Sequence, residues 1–265
     1  MNRIKSKLIA LDIDGTIIDK PAGFSVPEEV REAVRDARKA GIKVCLCSAR
    51  PCYFMDDATR GLEKVDALIG CNGALIEKDG EHFYRKAIPL AALIACFKTA
   101  KRLGAYVSFA GDEKIFVYKK GPLLPSESGP DFVYMEEDEL LAAFLAEDFY
   151  CAYVFPGEAM SKEEIFLGSG FSYAAIHRSS EDSFTLTKSG TDKGTGILRL
   201  AEFWGIPREA ILAVGNDEND IPMFNAAGTG VAVANASPET LAAADWVAPD
   251  VWSAGAAEAI RRFAL

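Results

Sequence analysis

The run LIALDIDGT, Leu8–Thr16, decides the fold, because it opens as a strand and closes on two acids. Leu8, Ile9, Ala10 and Leu11 carry no polar side chain, as a strand covered on both faces requires. Asp12 and Asp14 follow at its end, where an ionised carboxylate is costly to bury unless something pairs with it. In open α/β sheets ligands collect beyond the carboxyl ends of the strands, so these acids stand where chemistry is expected.

The residues around that run have the same grammar. PEEVREAVRDARKAG (27–41) has a helical spacing of apolar residues, with Pro27 suited to its first turn and Gly41 to its C-terminal cap. IKVCLCS (42–48) reads as the next strand and completes a βαβ unit. A helical stretch near Tyr53–Glu63 then leads to DALIGCNGA (66–74), a further parallel strand. From ALIEKDGEHFYRKAI (74–88) the pattern changes: a DG turn between alternating segments indicates a β-hairpin and the approach of a different module. A helix at 89–104, a hairpin at 105–120, a Pro/Gly/Ser-rich loop at 121–130 and alternating runs at 149–155, 171–179 and 183–188 make the middle third an α+β insert with an antiparallel sheet. After Lys188 the alternation of helix and strand returns, from TGILRLAEFWG (195–205) and AILAVG (210–215) to a closing helix near Ala256–Phe263. The expectation is an α/β, Rossmann-like parallel-sheet core formed by residues 1–87 and 187–265, interrupted by an inserted domain at 88–186.

Composition narrows the partners. The chain has 265 residues, 49% of them hydrophobic, enough for one large core or two smaller ones. Its 29 Lys and Arg against 39 Asp and Glu leave a net charge of −10, which argues against a nucleic-acid backbone as partner. Six cysteines lie in or beside apolar runs without the dense spacing of a disulfide scaffold, and read as reduced core thiols of a cytoplasmic protein. Met1–Lys7 is basic, but the apolar run behind it is cut at Asp12 and has no cleavage-like segment, so export is not expected. No apolar run approaches the ~20 residues of a membrane span, so no membrane partner is expected either. Nothing in the pattern sets an oligomeric state.

The residues that follow the strands form the candidate site. They are Asp12, Ile13, Asp14, Gly15 and Thr16 after the first strand, and Ser48, Ala49 and Arg50 after the second. Lys193 precedes a helix in TKSGTDKGTG (187–196), and Asn216, Asp217, Asn219 and Asp220 follow a strand in AVGNDENDIPMF (213–224). Singly, each has an ordinary reading as a turn, cap or surface residue. Their recurrence at one sheet edge makes a common purpose the better account.

LDIDGT (11–16), CLCSAR (45–50), TDKGTG (191–196) and GNDENDIPM (215–223) together resemble the four motifs of the haloacid dehalogenase (HAD) superfamily. The long insert between the second and third motifs resembles the Cof-type subfamily IIB with its type-2B cap, and CNGALI (71–76) and GVAVANASPETLAAADWVAPD (230–250) are similar to accessory motifs of that group. The resemblance implies a Mg²⁺-dependent phosphatase acting on small phosphorylated metabolites such as sugar phosphates. It assigns Asp12 as nucleophile and Asp14 as general acid and base, with Asp12, the Asp14 carbonyl and Asn216 at the metal. Ser48 and Lys193, the amides of Ile13 and Ala49, and the Asn219 side chain are then the phosphate ligands, with Asp220 orienting Lys193 and Arg50 and Asp217 in support. A phosphate monoester repels nucleophiles with its own charge, so such a site must cancel charge before a bond forms, and a hard cation held by oxygen ligands does so.

Two positions depart from the family pattern. Ala49 stands where Gly is usual, which matters if that turn needs a positive φ. Asn216 stands where an Asp metal ligand is usual; an amide oxygen can coordinate but brings no negative charge. Competing nucleophiles find no support. A cysteine phosphatase loop needs Arg six residues after Cys, where Cys45 and Cys47 have Pro51 and Tyr53, and the glycines of GTDKGTG do not form a P-loop. With only His82 and His177, each in a strand-like part of the chain, a serine triad has little to stand on. The alternatives within reach are a phosphomutase with the same cap type and a phosphate-ligand binding or regulatory module with weakened catalysis.

Overall fold

The computed structural model describes residues 5–18, 25–55, 61–62, 64–120, 131–155, 174–180 (backbone only) and 183–265. The chain divides into two compact units, one running to Tyr84 and resuming at Asp192, the other comprising Arg85–Thr191. The insert so delimited reaches further at both ends than the 88–186 read from the pattern.

In the first unit β1 (Leu8–Asp12) lies between two parallel neighbours, β2 (Lys43–Cys47) and β12 (Ile211–Gly215). Every residue of β1 is buried, which explains the apolar run Leu8–Leu11 that leads to Asp12. Its side chains alternate between two cores. Ile9 and Leu11 pack with α1 (Glu28–Lys39) and α7 (Trp252–Phe263), while Leu8 and Ala10 pack with α4 (Lys193–Trp204) and α5 (Ile221–Ala226). Helix α1 buries Val30, Ala33, Val34 and Ala37 along one stripe and places Glu28 and Glu29 in its first turn and Arg38 and Lys39 in its last, which complements its dipole.

The parallel sheet continues outward through β3 (Ala67–Gly70) beside β2, and through β13 (Thr229–Ala232) and β14 (Trp246–Val247) beyond β12. A short helix, α6 (Pro238–Ala243), joins the last two strands, its N-terminus capped by the Ser237 hydroxyl. Beyond β3 the sheet is extended by β4 (Leu75–Lys78), antiparallel to it, and then β5 (Glu81–Arg85), giving the order β14-β13-β12-β1-β2-β3-β4-β5. The β4–β5 turn has Asp79 at φ 56° and Gly80 at φ 83°, the two positive values of a tight hairpin turn. This hairpin belongs to the first unit's sheet. The helix expected near Tyr53–Glu63 is, within the described residues, a single 3-10 turn at Cys52–Phe54; residues 56–60 and 63 lie outside them.

The second unit is a six-stranded sheet ordered β10-β11-β9-β6-β7-β8. Its strands are β6 (Tyr106–Ala110), β7 (Ile115–Tyr118), β8 (Phe132–Met135), β9 (Cys151–Phe155), β10 (Ala174–Ser180) and β11 (Ser183–Lys188). All pairs are antiparallel except β7 with β8, a departure from the expected uniform sheet. Helices α2 (Leu90–Leu103) and α3 (Glu137–Ala146) share one core with the sheet. Helix α3 goes beyond the expected elements, although its start carries a signal: Glu139 accepts from the Glu136 backbone N–H at 2.8 Å and Glu136 returns the contact, a capping box three residues apart.

All six cysteines are free and buried. Among the described residues no helix is long and apolar enough to cross a membrane.

Phe109 is fully buried in the second core and meets Phe144 edge-to-face at 4.7 Å and Phe149 at 6.2 Å. Phe109→Ala is expected to cost about 3–5 kcal/mol, read from the urea midpoint of a fluorescence-monitored unfolding curve. A cost below ~1 kcal/mol would mean that this cluster is not the core of the unit.

Candidate active site

The site grows from the carboxyl edge of the first unit's parallel strands. β1 delivers Asp12, which is 5% exposed, and the turn after it carries Ile13, Asp14, Gly15 and Thr16. Gly15 is at φ 86°, and a Cβ there would come within 2.6 Å of the Asn216 amide, so both the turn and the close approach require glycine. β12 ends at Gly215 and presents Asn216, Asp217, Asn219 and Asp220.

Lys193 supplies the charge that lets these acids be buried. Its ammonium donates to Asp12 Oδ1 at 2.7 Å and to Asp220 Oδ1 at 2.6 Å, and the lysine is 1% exposed. The position is demanding, since Lys193 opens α4, where the helix dipole is positive. The helix start is fixed by Asp192, whose carboxylate accepts from the Thr195 backbone at 2.7 Å while the Thr195 hydroxyl closes the box. Burial acts to lower the Lys193 pKa, but Asp12 and then Asp220 outweigh it and hold it above its ordinary value. For Asp12, burial first and the charge of Asp220 next push the carboxyl up to about 7, against the pull of Lys193. When Asp12 is ionised, two carboxylates share one ammonium and the trio carries one net negative charge.

Asp220 also orders the loop it belongs to. Its Oδ2 accepts from the backbone N–H of Asn216 at 2.8 Å and of Asp217 at 3.0 Å, so one buried side chain fixes both Lys193 and Asn216. Asp217 accepts from the Glu218 N–H at 3.0 Å, a cap of the following turn, and burial raises its pKa.

β2 ends at Cys47, and Ser48, Ala49 and Arg50 follow. Ser48 is buried, and its hydroxyl accepts from the Arg50 backbone N–H at 3.1 Å. Ala49 has no positive φ, so the turn accepts it where the family has Gly; the described non-glycine residues that do are Cys71, Asn72, Asp79 and Trp252. The Arg50 guanidinium grips the Asp14 carboxylate with two bonds, Nε to Oδ2 at 2.8 Å and Nη2 to Oδ1 at 2.5 Å.

The structure adds two residues to those singled out from the pattern. Asn72, fully buried at φ 48°, accepts from Asn219 Nδ2 at 3.2 Å. Next to it Gly73, at φ 94°, lies so close to the Asp192 carbonyl that a Cβ would come within 2.1 Å, which brings the CNG turn against the start of α4. The sequence carried a signal for this turn in CNGALI. The second addition is Asp192 itself; Thr16, already a candidate from the sequence, places its buried hydroxyl 2.9 Å from the Asn216 side chain.

A divalent cation has a donor set to test here. One terminal atom of the Asn216 amide stands 3.1 Å from Asp12 Oδ2, 3.1 Å from the Asp14 carbonyl oxygen and 2.9 Å from Thr16 Oγ1. Adjacent oxygens in an octahedron about Mg²⁺, each at 2.0–2.1 Å from the ion, are about 3 Å apart. With the amide oxygen in that place, the Asp12 carboxylate, the Asp14 carbonyl and the Asn216 amide match that spacing, and the excess negative charge beside them favours a cation. Among the described residues there is no group of three His, Cys, Asp or Glu side chains placed to hold a metal, so the set is one carboxylate, one carbonyl and one amide. That is compatible with Mg²⁺, which keeps waters and substrate oxygens as its other ligands.

The family model for haloacid dehalogenase-like hydrolases matches residues 9–260. The chain belongs to that family. It is 32% identical to a phosphoglycolate phosphatase of Methanoculleus marisnigri over 97% of this chain and 96% of the relative, and 25% identical to the putative phosphatase YxeH of Bacillus subtilis over 98% of both. A haloacid dehalogenase-like hydrolase from B. subtilis superposes with a TM-score of 0.84 at 25% identity, covering 97% of this chain and 99% of that one. The HAD subclass IIB sugar phosphatase BT4131 shares the fold, with a TM-score of 0.84 at 23% identity over 97% and 99% of the two chains. The protein is thus a Cof-type HAD hydrolase, a phosphatase with the α/β fold of its family.

The raised Asp12 pKa has a consequence for stability. A carboxyl at about 7 in the folded chain and near 3.8 unfolded binds more proton when folded, so it costs stability progressively as pH rises through that window and fully above it. In chelator, Asp12→Asn is therefore expected to melt above the wild type at pH 8, with the difference shrinking toward pH 4. A variant that melts lower at pH 8 would mean that the Lys193 pair outweighs the burial of Asp12.

Proposed function

We propose that this HAD phosphatase hydrolyses small phosphorylated metabolites through an aspartyl-phosphate on Asp12, with Mg²⁺ as its cofactor. One observation carries the reading: Asp12 is buried at the end of β1 with one oxygen on Lys193 and the other toward Asn216 and the Asp14 carbonyl. A carboxylate so fixed can attack phosphorus along one line, and an ester is cheaper to displace in two steps than in one. Asp12, the Asp14 carbonyl and Asn216 would hold the cation, which when bound neutralises phosphate charge and keeps Asp12 ionised at neutral pH.

The other residues divide the work by chemistry. Lys193 and Ser48, with the amides of Ile13 and Ala49 and the Asn219 side chain, bind the phosphate oxygens, while Asn72 holds Asn219 in place. Asp14 gives a proton to the leaving alcohol and then takes one from the attacking water. Its carboxylate is engaged by Arg50, so it must leave the guanidinium, or turn within it, to reach the leaving oxygen; Arg50 positions this acid. The family resemblance gives the inserted unit the role of cap in this reading, and a phosphomutase is the alternative on the same machinery.

Phosphate release from a panel of phosphorylated metabolites, with and without Mg²⁺, tests the function. Release from at least one sugar phosphate or short phospho-acid that is lost in EDTA is expected, whereas transfer between positions of a sugar bisphosphate would mark a mutase. Asp12→Asn should retain less than a few percent of turnover. Asp14→Asn should lose roughly 10²-fold or more with alkyl phosphates and less with aryl phosphates, whose leaving groups need no proton. Arg50→Ala should follow the same split in kcat, and an equal loss on both substrate types would remove Arg50 and Asp14 from the proton path.

A further inference from the structure

Asn216 has one degree of freedom left. Its backbone N–H is tied to Asp220 and its carbonyl accepts from the Ser237 N–H at 2.9 Å, while its side chain is wedged between Gly15 and the oxygens of Asp12, Asp14 and Thr16. A half-turn of the terminal amide exchanges its nitrogen and oxygen without moving any other atom. The two orientations suit opposite charge states. With nitrogen inward, two N–H bonds serve three acceptors at 2.9–3.1 Å, among them Asp12 Oδ2, the carboxylate oxygen that Lys193 does not hold. With oxygen inward, the Thr16 hydroxyl donates to it at 2.9 Å, it faces two more oxygens that only a cation can reconcile, and the amide nitrogen is turned toward donors, so this orientation needs the cation to hold it. The Thr16 hydroxyl is the donor to Asn216 in one case and the acceptor in the other.

We propose that Asn216 is a reversible stand-in for the metal: its amide nitrogen holds the Asp12 carboxylate and the Asp14 carbonyl together when no cation is bound, and its oxygen turns in to ligate Mg²⁺ when one arrives. The proposal rests on the phosphatase reading above, in which these oxygens are the metal ligands. An ionised Asp at this position has no such second state, because its two oxygens then only accept and add a negative charge beside Asp12, and it can donate only by taking up a proton. The Asn site therefore stays assembled without metal, and metal must displace the amide's own hydrogen bonds in order to bind.

The test compares wild type and Asn216→Asp as full chains. Thermal melts in EDTA should place the variant roughly 3–10 °C below the wild type, a shift that one or two lost buried hydrogen bonds plus carboxylate repulsion produce in a chain of this size. Calorimetric titration with MgCl₂ alone should give the variant a dissociation constant at least about 5-fold lower. Equal melting in EDTA overturns the stand-in role while leaving the metal site intact. Absence of Mg²⁺ binding in both chains overturns the metal reading itself, an outcome that is distinct because the EDTA melts do not depend on it. Should Asn216→Asp fail to fold, the wild type decides alone: in ¹⁵N spectra the Asn216 side-chain NH₂, assigned by its loss in Asn216→Ser, should be protected from solvent exchange in EDTA and lose that protection on adding MgCl₂. An NH₂ signal unchanged by bound Mg²⁺ overturns the proposal.

Discussion

The ammonium of Lys193, enclosed between Asp12 and Asp220, is the interaction on which the rest of the first unit depends. A buried cation at the positive end of a helix is unfavourable twice over, by desolvation and by the helix dipole. Two carboxylates hold it, and they come from segments 181 and 27 residues away in the chain. The lysine therefore fixes the end of β1, the start of α4 and the loop after β12 relative to one another. The insert at Arg85–Thr191 separates β5 from α4 in sequence, yet α4 is returned to the same three-way contact.

Such a cluster is a poor device for stability. Replacing buried ion pairs with apolar residues is often neutral or stabilising, and here the trio even retains an excess negative charge. What it supplies is preorganisation: a nucleophile with one oxygen anchored, its partner lysine in place, and the loop bearing Asn216 tied through the same Asp220. The excess charge is the part of the design that a cation and a phosphate ester would complete.

Much of this was legible in the chain because it concerns residue types at strand ends. An apolar run ending in Asp12 and Asp14 announces the strand and its burdened edge, and the return of helix–strand alternation after Lys188 reunites Lys193 and Asn216–Asp220 with it. The DG turn gave the hairpin, but not its allegiance, because alternation describes a strand's faces and not the sheet it joins. Asn72 escaped notice because its place depends on a positive φ and on the Gly73–Asp192 approach, which are properties of the folded backbone. Arg50 was legible as a neighbour of the site, but a long side chain can point several ways, and its grip on Asp14 follows from tertiary geometry. The stretch near Tyr53–Glu63 has helical spacing, and within the described residues it shows one 3-10 turn, Cys52–Phe54.

The two departures from the family pattern differ in kind. Ala49 adds a methyl group at a turn whose φ accommodates it, so geometry absorbs the change. Asn216 changes charge where charge is already unbalanced, and geometry cannot absorb that; it can only offer the amide two orientations. The same atoms that leave an ionised carboxylate at position 216 without a second role give an amide one, since it meets the Asp12 oxygen as a donor and a cation as an acceptor with no change of protonation. A site built this way gives up some affinity for its metal in return for keeping its nucleophile in place without it. That exchange suits an enzyme whose Lys193, Asp220 and Asp12 must stay buried together whether or not the cation is bound.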